Sequence, residues 1–173
     1  MEKIIFIFEL DFTLWDCEEV RHDKLKQPFK KKGLAIVDTN EKKLSPFPEI
    51  IKILDQIKNS NYGIVFTSST KIPECTRTLL KLSGIEKYPD ITIFNSDSKN
   101  DQVGSLMAQT DIPANKIIYF DSNPDNIEQV KPYGINTFLI PDEGLTYDTF
   151  LLAMKNASLT MEIDKLGIVW GNK

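Results

Sequence analysis

Five short apolar runs recur along this chain, and none alternates with polar residues: IIFIF (Ile4–Phe8), GIVFT (Gly63–Thr67), ITIF (Ile91–Phe94), IIYF (Ile117–Phe120) and TFLI (Thr137–Ile140). A strand with one wet face alternates, whereas an unbroken run needs cover on both faces. The stretches between the runs carry helical periodicity. FPEIIKILDQIKN (Phe47–Asn59) puts Ile50, Ile51, Leu54 and Ile57 on one face, and IPECTRTLLKL (Ile72–Leu82) follows the second run. DQVGSLMAQT (Asp101–Thr110), NIEQVKPYG (Asn126–Gly134) and YDTFLLAMKNA (Tyr147–Ala157) follow the others. Strand–helix repetition of this kind predicts one α/β domain over residues 1–173, a three-layer sandwich with a five-stranded parallel sheet.

Right-handed crossovers bring the C-terminal ends of all the strands to one edge, where ligands bind in such folds. Glu9, Thr67, Ser68 and Asp121 fall at those ends. They are remote in sequence and predicted to converge. Residues 16–45 show no strand–helix period and hold the basic run KLKQPFKKKG (Lys24–Gly33), so a flap or hairpin beside the crevice is expected. Its lysines read either as a solvated loop or as a positive rim for a phosphorylated substrate. The tail, 158–173, reads as an extra element on the sheet edge or as the point where a longer protein was cut.

Composition narrows the function classes. A net charge of −4 argues against a nucleic-acid partner. The two cysteines, Cys17 and Cys75, lack metal-ligand spacing, so neither a disulfide framework nor a zinc site is expected, and a reducing, cytoplasmic location fits. The start, MEKIIFIFELD, does not read as a secretory leader. No run approaches the ~18 apolar residues of a membrane span.

The chemistry-bearing residues sit at the strand ends. Glu9 and Asp11 follow a fully apolar strand, with Thr13 at the next alternate position. Side chains two apart on an extended segment share a direction, so one carboxylate can attack phosphorus while the other handles a proton. A plain acidic turn is the alternative. In FTSST (Phe66–Thr70), hydroxyls of Thr67, Ser68 and Ser69 could hold phosphoryl oxygens, or simply cap the next helix. Lys99, in SDSKND, could fix both nucleophile and phosphate, with Lys71 as a competitor; either could equally be an exposed lysine. YFDSNPDNI offers Asp121 at a strand end and Asp125 four residues on, oxygen ligands of the kind Mg²⁺ takes, or else turn chemistry around Asn123-Pro124. His22, the sole histidine, is expected at the surface, with a substrate contact as the alternative, and Trp15 under the flap, with a rim position stacking on substrate as the alternative.

Taken together these motifs resemble the haloacid dehalogenase-like phosphatases, and among them the small magnesium-dependent phosphatases. That family opens on a strand followed by Asp-x-Asp-x-Thr, often with Leu-Trp. Here the stretch is Glu9-Leu10-Asp11-Phe12-Thr13-Leu14-Trp15. Its Ser/Thr motif matches Ser68, with Thr67 as the other register, its lysine matches Lys99, and its terminal acids match Asp121 and Asp125. Pro28-Phe29, Phe47-Pro48-Glu49, Pro113 and Asn126 are further similar landmarks. Ser122 stands where the subgroup commonly has a second Asp, and Ser69 where it has a basic residue.

The resemblance implies a Rossmann-like core with little or no cap and Mg²⁺ as cofactor. Glu9 would stand at the nucleophile position, with Asp11 as general acid/base that also lends its backbone carbonyl to the metal. Ser68 and Lys99 would hold phosphate, and Asp121 with Asp125 would complete the metal site. Implied substrates are a phosphorylated small molecule or a phosphoprotein, phosphotyrosine and sugar phosphates included. The Glu at position 9 departs from the family. One extra methylene moves the carboxylate by roughly 1 Å, a misplacement that can cost about a hundredfold in rate. A natural adaptation, an introduced substitution and a catalytically inactive phosphate- or phosphoprotein-binding module all fit that departure. A receiver-type phosphoacceptor is disfavoured, because its acid pair would be adjacent.

Overall fold

The structure is a computed structural model that describes residues 4–18 and 21–157. The expected tail, 158–173, lies outside the described residues. In chain order the elements are β1 (Ile5–Glu9), β2 (Trp15–Asp16), β3 (Lys30–Lys32), β4 (Ala35–Val37), β5 (Lys43–Pro46), α1 (Ile50–Asn59), β6 (Gly63–Ser69) and α2 (Pro73–Ser83). They continue with β7 (Ile91–Asn95), α3 (Lys99–Thr110), β8 (Ile117–Asp121), α4 (Pro124–Val130), β9 (Asn136–Leu139) and α5 (Tyr147–Asn156).

Among the described residues, five strands form one parallel sheet in the order β7-β6-β1-β8-β9. The five apolar runs are these five strands, as their sequence predicts. The chain starts in the middle, builds outward through β6 and β7, then crosses to β8 and β9. The reversal of direction opens a crevice at the carboxyl ends of β1 and its neighbours.

Strand alternation divides the core in two. Phe6, Phe8, Ile64, Phe66, Ile118 and Phe120 face the side covered by α1, α2 and α5. Phe8 and Phe120 stack there with centroids 5.1 Å apart. Each fully buried aromatic contributes roughly 2–3 kcal/mol by leaving water. Ile5, Ile7, Val65, Ile117 and Tyr119 face the other side, under Val103 and Leu106 of α3 and Ile127 and Val130 of α4. The period of two therefore puts Glu9, Thr67 and Asp121 on the α3/α4 face, each one step beyond the last core residue. Glu9 and Thr67 are register partners.

Residues 16–45, expected as a flap or hairpin, fold into something more ordered. With Trp15 they form a four-stranded antiparallel sheet, order β2-β5-β4-β3, that packs on α2. Ile36, Val37 and Leu44 are buried, while Lys30, Lys31 and Lys32 are exposed. Helix ends follow capping chemistry. The third helix starts at Lys99 rather than Asp101, because the Ser98 hydroxyl accepts the Asp101 backbone N–H. The fourth starts at Pro124, because Asn123 caps it, and stops at Val130, short of a 3-10 turn at Lys131–Tyr133. Gly144 has φ +80°, and a Cβ there would stand 2.3 Å from the Phe47 ring, so only glycine lets this loop pass and bond Leu145 N–H to the Thr13 carbonyl.

Candidate active site

Glu9 ends β1 and is 2% exposed. Its Oε1 lies 3.8 Å from the Lys99 ammonium and 3.6 Å from Nη2 of Arg21, and makes no hydrogen bond. Burial drives its carboxyl well above the ordinary range, Lys99 opposes that shift, and Asp11 and Asp121 reinforce it. A carboxylate oxygen flanked by two cations yet lacking a hydrogen bond keeps its lone pairs open to a metal or an electrophile.

Lys99 is the first residue of α3 and is 1% exposed. Its ammonium donates to Thr67 Oγ1 at 3.3 Å and Gln102 Oε1 at 3.2 Å. Burial lowers its pKa, and Glu9 and Asp121 offset part of that. Gln102, one turn along α3, donates in turn to the Ser68 carbonyl and to Asn95 Oδ1. Ser68 is fully buried with an unbonded Oγ. The Ser69 hydroxyl is spent on the Asp97 carbonyl at 3.0 Å. Lys71 is exposed, in the loop after β6.

Asp11 departs from the expectation that it points along with Glu9. The strand stops at Glu9, and Phe12 takes a left-handed φ of 58° while Thr13, Leu14 and Trp15 N–H groups all turn back to the Leu10 carbonyl. The Asp11 carboxylate is thereby swung toward the flap. It accepts from Trp15 Nε1 at 2.8 Å, Cys17 Sγ at 3.2 Å and His22 Nδ1 at 2.8 Å, with Arg21 Nε 3.2 Å away. Burial pushes this carboxyl up, but the bonds and charge of His22, the Trp15 indole and Arg21 outweigh it and hold it at about 2. The Asp11 carbonyl faces the other way and accepts from Ser122 Oγ at 3.1 Å. Thr13, fully buried, uses its hydroxyl to accept the Ser122 N–H at 3.1 Å, tying the loop after β1 to the end of β8.

His22 is fully buried, not at the surface as expected. Its Nδ1 faces an ionised carboxylate and so carries a proton, while Nε2 lies 2.8 Å from Thr76 Oγ1 on α2. Trp15, likewise buried, meets the His22 ring edge-on at 5.7 Å.

Asp121 ends β8. Oδ1 accepts the Asn123 N–H at 2.8 Å; Oδ2 accepts Asn126 Nδ2 at 2.9 Å and the Tyr119 hydroxyl. Burial raises its pKa, against those hydrogen bonds and Lys99. Asp125 sits exposed in the first turn of α4 with its N–H on Asn123 Oδ1. Among the described residues no hydrogen bond or ion pair joins its carboxylate to Glu9, Asp11 or Asp121.

Ion-pair and hydrogen-bond distances thus bring together Glu9, Lys99 and Thr67, and Arg21 bridges Glu9 to the Asp11 carboxylate; Asp121 interacts with Glu9 and Lys99 through charge, with the Asp11 carbonyl bonded to Ser122 just beyond it, while Ser69 is bonded to Asp97 instead. Among the described residues no three His, Cys, Asp or Glu side chains stand in ligating array. Two carboxylates and one carbonyl remain as oxygen donors. That set suits a hard divalent cation such as Mg²⁺, which takes one or two carboxylates and keeps its waters, and the unbonded Glu9 Oε1 is free to serve it. Arg21, Tyr119, Gln102 and Ser122 were not singled out by motif spacing for the roles they take. Only Gln102, three after Lys99 on a helix, left a usable signal.

Comparison with known proteins points to phosphatases. The family model described as Acid Phosphatase matches residues 3–158. Magnesium-dependent phosphatase 1 of Homo sapiens is 27% identical over 130 residues, 75% of this chain and 73% of that protein. A haloacid dehalogenase-like hydrolase from Streptococcus pneumoniae superposes with a TM-score of 0.60 at 16% identity, covering 87% of this chain and 90% of the other. The N-terminal part of a Bacteroides fragilis protein containing a phosphatase domain, complexed with Mg, gives 0.56 at 13% identity, covering 98% of this chain and 41% of that one.

Proposed function

Because this chain belongs to the acid phosphatase family and has a haloacid dehalogenase-like fold, we propose that it is a Mg²⁺-dependent phosphomonoester hydrolase with Glu9 at the nucleophile position. The observation that carries the reading is the meeting of Glu9, Lys99 and Thr67 at the crevice, with Asp121 in electrostatic contact with Glu9 and Lys99. The human relative's name supplies the metal, and the oxygen donor set here fits it. Glu9, Asp121 and the Asp11 carbonyl would hold the ion, which supplies positive charge beside the phosphoryl oxygens.

A Glu9 carboxylate oxygen forms a bond to phosphorus as the ester P–O bond breaks, and the leaving oxygen departs as an aryl oxide that takes its proton from solvent water. Lys99 holds nucleophile and phosphate in register, and Ser68 Oγ, free of protein partners, donates to a phosphoryl oxygen. In the second half, water cleaves the acyl phosphate; Asp11, the family's base position, is ionised but, held at about 2 by its partners, accepts the water's proton only weakly, so hydrolysis of the acyl phosphate is the slower half. Proton donation by Asp11 in the first half is hampered by the same bonds, so aryl phosphates, which leave without much help, are the favoured substrates; phosphotyrosine belongs to this class, and sugar phosphates are the slower alternative. Asp125 would act on the site only through water. The buried free cysteines, Cys17 and Cys75, accord with a reducing cytoplasm.

The test is hydrolysis of an aryl phosphate by this chain and by Glu9→Asp, each with Mg²⁺ and with chelator. Metal-dependent turnover, faster in the Asp form, supports the reading. Turnover by neither form replaces it with a phosphate-binding module.

A further inference from the structure

Among the described residues Lys99 and Arg21 both lie beside Glu9, and of the two Arg21 is the one that meets solvent. Lys99 is 1% exposed and shared among Thr67, Gln102 and Glu9. The Arg21 side chain is 39% exposed, with Nε 3.2 Å from Asp11 Oδ2 and Nη2 3.6 Å from Glu9 Oε1. These contacts use one edge of a five-donor fork. The second is too long for a hydrogen bond, so Glu9 Oε1 stays unbonded beneath the guanidinium.

We propose that Arg21 is the substrate-recognition cation of this site, its guanidinium binding the phosphoryl oxygens of a phosphomonoester dianion as it settles over Glu9. The inference rests on the phosphatase reading above and adds a residue to it. A dianion entering the crevice meets the repulsion of Glu9, Asp11 and Asp121, and needs a cation it can reach from solvent. The position after Ser68 supplies none: Ser69 is neutral and its hydroxyl is bonded to Asp97. A planar guanidinium matches two phosphoryl oxygens at once, which an ammonium does not.

Arg21 is also held in place for this task. Its carbonyl accepts the Lys24 N–H at 3.0 Å, and its neighbour His22 is locked between Asp11 and Thr76. The flap therefore delivers a fixed cation rather than a wandering one. Dianionic monoesters should be preferred over monoanionic diesters for the same reason.

The experiment is calorimetric titration of the Mg²⁺-loaded chain with inorganic phosphate, alongside Arg21→Gln and Arg21→Lys, with thermal unfolding to establish that each variant folds. Arg21→Gln should weaken phosphate binding about tenfold to a hundredfold, and Arg21→Lys should recover part of it. At saturating Mg²⁺ the KM for an aryl phosphate should rise in step, and added guanidinium ion should restore binding to Arg21→Gln. Should Arg21→Gln fail to fold, the Lys variant decides: a loss of affinity with retained charge marks the bidentate contact. Equal phosphate affinity in all folded forms, or no phosphate binding by the unaltered chain, overturns the assignment. Arg21-dependent phosphate binding without turnover, even in Glu9→Asp, would keep this inference and sink the hydrolase reading instead.

Discussion

His22 Nδ1 lies 2.8 Å from Oδ1 and 2.9 Å from Oδ2 of Asp11, while its Nε2 reaches Thr76 at 2.8 Å; one ring joins the loop after β1, the flap and α2. Removing it leaves a cavity and a buried carboxylate short of a donor. His22→Ala should lose about 3 kcal/mol in urea unfolding. His22→Gln, able to keep one of the two bonds, should lose less. Equal stability of all three forms would show that this junction is not what fixes Asp11.

The same cage sets a pH dependence. The Asp11 carboxyl is held at about 2, below its ordinary 3.8. As pH falls, the unfolded chain binds this proton first, so the stabilisation is complete above about pH 4 and lost between about 4 and 2, amounting to about 2 kcal/mol. Urea midpoints should fall more steeply over that window for the unaltered chain than for Asp11→Asn. Glu9 has the opposite sign: its carboxyl is raised, so its contribution to stability declines as pH rises above 4.5. Glu9→Gln should therefore gain stability relative to the unaltered chain at neutral pH.

Tyr119 bonds the carboxylate of Asp121 from within the core, orienting a metal ligand from below. Losing such an outer partner commonly costs ten- to a hundredfold in metal affinity. Tyr119→Phe should raise the Mg²⁺ dissociation constant by about tenfold with little change in the phosphate affinity of the metal-saturated protein. Calorimetry with Mg²⁺ reads this directly.

How far the sequence reveals this site depends on the range of each contact. Glu9, Thr67, Lys99 and Asp121 are legible because apolar runs mark strands, strand ends mark the crevice, and a period of two says which side chains share a face. Asp11 breaks that logic, since Phe12 at φ 58° ends the strand and re-aims the next carboxylate. Asp125 is placed by a local device that spacing does not resolve: Asn123 caps α4 and sets Asp125 in its exposed first turn. His22 and Arg21 are invisible because the flap has no period and their partners lie across the fold. His22 meets Thr76 over a separation of 54 residues, which no spacing rule detects.

Glu9 carries the central claim, and the most direct measurement asks where phosphorus goes. The Glu9→Asp chain, which restores the shorter carboxylate, should be mixed with Mg²⁺ and an aryl phosphate, quenched in acid and digested for mass spectrometry. One phosphoryl group on residue 9, absent without Mg²⁺ and absent in Glu9→Ala, is the result expected. Metal-dependent turnover with the phosphoryl group on another residue, or persisting undiminished in Glu9→Ala, would contradict it.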